Sequence, residues 1–201
     1  MRQAAFIPNP ALVSFLGLAP LVGATSNFAA GSIAGFVMAI GAIAASAMGH
    51  LSRKYVPDRS SASFQMAFAA VYASLCWIVV EALFPIQAAE IGMYLPLVAA
   101  SSFVAHELGR SGNDGERRMK FASISALQYL SVALIVSAIR EMVGAGTLTL
   151  PFSSYSSHPF VLFSQAPMPI LLLPAGSFLV LALLAIVNRL LFPAPGAKEV
   201  R

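Results

Sequence analysis

Arg140 and Glu141 stand side by side between Ile139 and Met142 in an otherwise apolar stretch, and charges in such a setting are paired, hydrated or functional. Two chemistries are open to them: a fixed charge pair at a helix end closed by Gly144 and Gly146, or part of an ion path. A second set of candidates is uncharged. Thr25, Ser26 and Asn27 follow Pro20, and Ser101 and Ser102 follow Pro96. Their hydroxyl and amide oxygens suit either backbone groups freed by a helix break or a coordinated cation. Glu81 is a lone acid in an apolar run, open to snorkelling towards water or to an ion path. His50 and His106 fall at the ends of apolar segments, where a histidine anchors at the interface or, as a facing pair, ligates a haem or pigment. His158 lies in a polar loop and carries no signal. Cys76, the only cysteine, reads as a small buried hydrophobe and excludes an intrachain disulfide or a multi-cysteine metal site made by this chain alone. No nucleotide-binding loop, Ser-His-Asp set or carboxylate pair at catalytic spacing is legible. No catalytic residue, metal ligand or cofactor held by this chain alone is therefore assigned, and any enzymatic role is at most that of a non-catalytic subunit.

The elements that must position these residues are membrane helices. With 58% hydrophobic residues, 10% charged residues and a mean hydropathy of +0.80, a 201-residue chain has too few polar groups to cover a soluble globule. A spanning helix needs roughly 20 mostly apolar residues, and six candidates occur at about 11–30, 33–51, 64–84, 91–105, 121–143 and 168–192. Pro20-Leu21-Val22 in the first recurs 76 residues later as Pro96-Leu97-Val98 in the fourth, and six of ten positions match from each proline onward. Paired interrupted segments of this kind line a site near the bilayer midplane in repeat-built membrane proteins, so segments one and four are expected to break at Pro20 and Pro96. The other four are expected to be continuous. Lys and Arg collect in short cytoplasmic loops, and six spans put eleven of the twelve basic residues on one side, Arg140 being the exception. That predicts both termini in the cytoplasm, no removable signal peptide, and two three-segment halves of opposite topology, about 1–84 and 85–201, forming one domain over residues 1–201. The net charge of +4 follows from the loop bias and implies no nucleic-acid partner. Residues 144–169, rich in Pro, Ser and aromatics, are expected to form an outer loop lying on the membrane or on a partner.

At three places the chain resembles the Rnf/Nqr integral membrane subunits, in particular the branch that holds the E component of Rnf and the D component of Nqr. These are Asn9-Pro10-Ala11-Leu12-Val13 with Leu16-Gly17-Leu18-Ala19-Pro20-Leu21 and Thr25; the run from Ile139 through Arg140, Glu141, Gly144, Gly146 and Thr147 to Leu148; and Leu173-Pro174-Ala175-Gly176-Ser177-Phe178. The resemblance implies a subunit of an ion-translocating electron-transfer complex in a bacterial-type inner membrane, packed against a homologous subunit of opposite topology. It also implies one cysteine just before the first repeated proline and one six residues after the second, which with the partner's two would hold a [2Fe-2S] cluster. Here those positions are Ala19 and Ser102, and His106-Glu107-Leu108-Gly109-Arg110 replaces the family's Gly-Arg-Ala-Glu stretch. Clusters of this type require thiolate ligands, so the expectation is a structural subunit that holds no cluster through these positions. Two alternatives stay open: a scaffold or quinone-access subunit of another redox or photosynthetic complex, and a small inverted-repeat transporter.

Overall fold

The computed structural model describes residues 18–52, 55–56, 61–99, 101, 115–150, 160–163 and 168–191. They form seven α-helices: α1 (Leu18–Ala24), α2 (Phe28–Ser52), α3 (Ser61–Leu83), α4 (Pro85–Ile91), α5 (Tyr94–Ala99), α6 (Gly115–Gly144) and α7 (Pro174–Leu191). A strand pair, β1 (Thr147–Leu148) with β2 (Phe160–Val161), and a 3-10 turn (Pro169–Leu172) lie between α6 and α7. Among the described residues three helices are long and apolar enough to cross a membrane: α2, the Met66–Leu83 part of α3, and α6. Helix α7 is apolar but shorter.

The core is the seam between α2 and α6, and small residues make it close. A Cβ on Gly31 would lie 2.4 Å from the Cβ of Ser137, and one on Gly35 would lie 3.1 Å from the Cβ of Ala133. Lipid is as apolar as Leu, so membrane helices associate through such close backbone approach rather than through hydrophobicity alone. Ala34, Met38, Ala42 and Ala45 of α2 and Ala126, Tyr129, Ala133 and Val136 of α6 complete the buried seam. Helices α1 and α5 pack on each other, because Gly23 leaves room for the Tyr94 ring, which a Cβ there would meet at 2.1 Å. Helix α3 packs on α4 and α5 and touches α2 where the Tyr72 hydroxyl donates to the Val37 carbonyl over Gly41.

The interruptions fall near the repeated prolines but not on them. Pro20 and Pro96 are each the third residue of a short helix. Among the described residues the breaks are at Thr25–Asn27, after α1, and at Gly92–Met93, before α5. The physical reason is that proline lacks an N–H, which the first helical turn leaves unbonded anyway. Pro85 and Pro174 open α4 and α7 for the same reason. The sixth segment, expected to be continuous, is also split. Leu173 is extended, φ −67 and ψ 152, as the residue before a proline prefers, so the helix proper starts only at Pro174. The expected outer loop is partly structured: β1 and β2 pair antiparallel, Thr147 opposite Val161 and Leu148 opposite Phe160.

Candidate functional site

The break between α1 and α2 is where the sequence candidates meet. Any helix end leaves backbone groups without partners, and within a membrane each one must be satisfied by protein. Arg140, 1% exposed, supplies the donors for one side. Its Nη1 donates to the Val22 carbonyl at 3.2 Å and to Thr25 Oγ1 at 2.7 Å. Its Nε donates to the Leu171 carbonyl at 2.9 Å, and Nη2 to the carbonyls of Leu172 at 2.8 Å and Leu173 at 3.1 Å. A guanidinium has five N–H groups, and these five bonds use them all. The Thr25 hydroxyl donates in turn to the Leu21 carbonyl at 2.5 Å, and Ser177 Oγ donates to the Val22 carbonyl at 3.3 Å. The terminal carbonyls of α1 and of the 3-10 turn, partially negative, are thus gathered on one cation.

Glu141 does the converse for the N-terminus of α2. Its Oε2 accepts from the Phe28 N–H at 2.6 Å and from Thr149 Oγ1 at 3.0 Å, while Oε1 accepts from Thr147 Oγ1 at 3.2 Å. Thr149 Oγ1 accepts from the Ala29 N–H at 3.4 Å, and Asn27 Oδ1 accepts from the Ala30 N–H at 2.7 Å. Asn27 is therefore the N-cap, and the first three orphan donors of α2 each have a side-chain acceptor. Asn27 Nδ2 also donates to Glu90 Oε2 on α4 at 2.6 Å. Consecutive helical residues point about 100° apart and do not face one another, which is why Arg140 and Glu141 reach opposite sides of the break. They are not paired with each other. Among the described residues the one ion pair is Lys120 with Glu116.

The end of α6 places these threonines. Gly146 adopts φ 72 and bonds its N–H to the Glu141 carbonyl at 3.1 Å, which turns the chain into β1. Its carbonyl then accepts from Leu162 and Phe163, at 2.8 and 3.0 Å. Gly144 lets the 3-10 turn approach: a Cβ there would sit 3.0 Å from Leu172 Cγ.

Thr25, Asn27, Arg140, Glu141, Gly144 and Gly146 are thus one cluster, with Pro20 on the helix that leads into it. Glu81 is not part of it; that acid is exposed on α3. Pro96 is exposed on α5, and the buried Ser101 donates to Met38 Sδ at 3.2 Å. Cys76 is half-buried and packs against the core, four residues after Tyr72. His50 is exposed in the last turn of α2, beside Gly115. Ser102, His106 and His158 lie outside the described residues, as does the side chain of Ala19. Sequence reasoning does not single out Thr149, Glu90 or the main-chain carbonyls at 171–173. Thr149 comes two residues after Thr147 of the family motif, which is a usable signal; main-chain carbonyls carry none.

Chemically, the cluster sets a cation against the chain-end carbonyls on one side of the break and an acid against the amide donors on the other. Among the described residues no three of His, Cys, Asp and Glu come together to hold a metal ion.

This is the construction of an α-helical membrane protein with broken helices, and the comparisons give its family. The profile of the Rnf-Nqr subunit membrane proteins matches residues 1–185. The chain belongs to the Rnf-Nqr family of membrane subunits. It is similar to the E component of the Na(+)-translocating ferredoxin:NAD(+) oxidoreductase complex of Acetobacterium woodii, 26% identical over 180 residues covering 88% of this chain and 87% of the relative. It is also similar to the E component of the ion-translocating oxidoreductase complex of Pseudoalteromonas atlantica, 24% identical over 194 residues covering 91% and 82%, and to that of Shewanella baltica, 25% over 187 residues covering 88% and 79%.

Proposed function

We propose that this chain is an integral membrane subunit of an ion-translocating electron-transfer complex, serving as structural framework rather than as an electron carrier. Family membership and relatives named as complex subunits support the first half. The second half rests on one observation: the α1–α2 break, where such a fold would hold a ligand, is saturated by Arg140 and Glu141. A cation that met the carbonyls of Val22 and Leu171–Leu173 would have to displace a guanidinium already bonded to them, which also weighs against a transported ion at this point.

The family's [2Fe-2S] cluster does not fit the donor set of this chain. Ala19 has no ligating atom, Ser102 offers a poor one, and the sole thiol, Cys76, stands on α3 at neither position. The proposed arrangement is six segments in an inverted 3+3 repeat within one domain, with α1 and α5 as the paired half-helices, both termini in the cytoplasm of a bacterial-type inner membrane, and a homologous subunit of opposite topology alongside.

Purification of the tagged chain in mild detergent from its native membrane tests the reading. Companion Rnf/Nqr subunits are expected in the eluate; their absence, or recovery of an unrelated complex, refutes it. Iron analysis and low-temperature EPR should show no stoichiometric cluster that depends on positions 19 and 102. Externally added thiol reagent should leave cysteines placed in residues 110–120 unlabelled.

A further inference from the structure

The uncharged run of α6 is a ruler for the bilayer. No residue from Phe121 to Ile139 carries a charge, and at about 1.5 Å per residue the rise from Lys120 to Arg140 is about 30 Å, the thickness of the hydrocarbon layer. Arg140 therefore stands at the boundary opposite Lys120. Helix α7 returns across the same layer and is too short for it: from Arg189, the basic residue of its last turn, back to Pro174 the rise is only about 22 Å. The 3-10 turn Pro169–Leu172 adds about 8 Å and completes the crossing. Hydrogen bonds agree with this level. The Arg140 side chain, which leans back towards the start of α6, holds the carbonyls of Leu171–Leu173, and the Met168 N–H bonds to the Val143 carbonyl at 3.1 Å, just past the boundary.

Hairpin β1–β2 then falls at headgroup depth. Helix α6 ends at Gly144, about 6 Å beyond Arg140, the headgroup layer of each leaflet is about 5–8 Å deep, and the hairpin hangs from Gly146, whose carbonyl accepts from Leu162 and Phe163. What it turns outward is apolar. Leu150, Phe160, Val161, Leu162, Phe163 and Met168 are all exposed, a patch that would be adhesive in water. Nor does this part of the chain carry charge: no Asp, Glu, Lys or Arg occurs from 142 to 188. A face that docks another protein surrounds its apolar core with a polar rim, and this run supplies no charged one. A two-stranded ribbon also leaves an outer edge unpaired. The headgroup layer, where water is at hand, allows such an edge, whereas hydrocarbon does not.

We propose that the β1–β2 hairpin is an interfacial anchor, lying in the headgroup layer of the leaflet farther from Lys120 with Phe160 and Phe163 among the upper acyl segments of the phospholipids. The proposal needs the membrane family alone and not the complex-subunit reading, so recovery of companions does not decide it. The full-length chain carrying p-benzoylphenylalanine in place of Phe160 or Phe163, irradiated in native membranes, is expected to gain the mass of a phospholipid. A crosslink to another protein, or no adduct at either position, overturns the proposal. Depth is read separately, from a single tryptophan placed by Phe160→Trp in a Trp77→Phe chain and reconstituted in vesicles of brominated phosphatidylcholine. Bromine near the glycerol end of the acyl chain should quench it about twofold more strongly than bromine near the terminal methyl, as fits burial of about 5–10 Å at the headgroup–acyl boundary. Leu179→Trp in the same background, which the ruler puts about 15 Å from the level of Arg189, should show the reverse order. Quenching at position 160 that is stronger by aqueous iodide than by either lipid, or that matches position 179, refutes the anchor.

Discussion

The breaks beside the two repeated prolines are built from different materials. At Thr25–Asn27 the chain ends are held by polar side chains, most of them from α6 and the strand that follows it, more than a hundred residues away. At Gly92–Met93 the solution is local. Gly92 takes φ 50 and ψ −128, a conformation open to glycine, donates its N–H to the Ala88 carbonyl, and receives the Leu95 N–H at 3.2 Å. One break is wired across the bundle; the other is folded within a few residues. The lesson is that a shared Pro-Leu-Val sequence sets the short helices but not the means of closing the gaps beside them.

Arg140→Met should separate the two most sharply. It would orphan the Leu171 and Leu172 carbonyls, while Val22 keeps Ser177 Oγ and Leu173 keeps the Gly176 N–H; since a buried acceptor left unmade costs about 1–3 kcal/mol, the total of roughly 2–6 kcal/mol is a large part of the stability of a typical domain. Loss of the monodisperse peak in fluorescence-detected size exclusion is the expected outcome, with partial recovery in Arg140→Lys, which keeps the charge without the five-donor fork. Glu141→Ala comes next, at about 1.5–3 kcal/mol for hydrogen bonds to a charged group, read as a fall in the detergent melting temperature. Gly92→Ala tests the local break: forcing a Cβ into that backbone region costs of order 1–3 kcal/mol, and equality with Arg140→Met would erase the contrast between the two breaks. Asn27→Ala, the loss of a single cap, should cost about 1 kcal/mol. A larger effect would show that its bond to Glu90 couples the two breaks.

Much of this is legible in the residues. The membrane class follows from composition, the family from its three motifs, and Arg140, Glu141, Thr25 and Asn27 stand out as polar groups beside apolar runs. What Arg140 and Glu141 bind is not legible, because their partners are main-chain carbonyls and an amide, which every residue type carries alike. The split at Leu173 is foreshadowed by Pro174 but obscured by the apolar run around it. Nor can the inward side of α3 be read, since a helix apolar all round gives no stripe to orient it. The separation of Glu81 from the cluster is therefore a fact of packing alone.

The Glu141–Phe28 hydrogen bond spans 113 positions, and this sets a schedule for synthesis. At about 5–20 residues per second, the start of α2 waits roughly 6–23 s after its own translation before the acid that seals it exists. During that interval an incomplete chain sits in the bilayer with backbone donors open at the Asn27 turn and carbonyls open at Val22. The turn is closed only when the residues around Arg140 arrive.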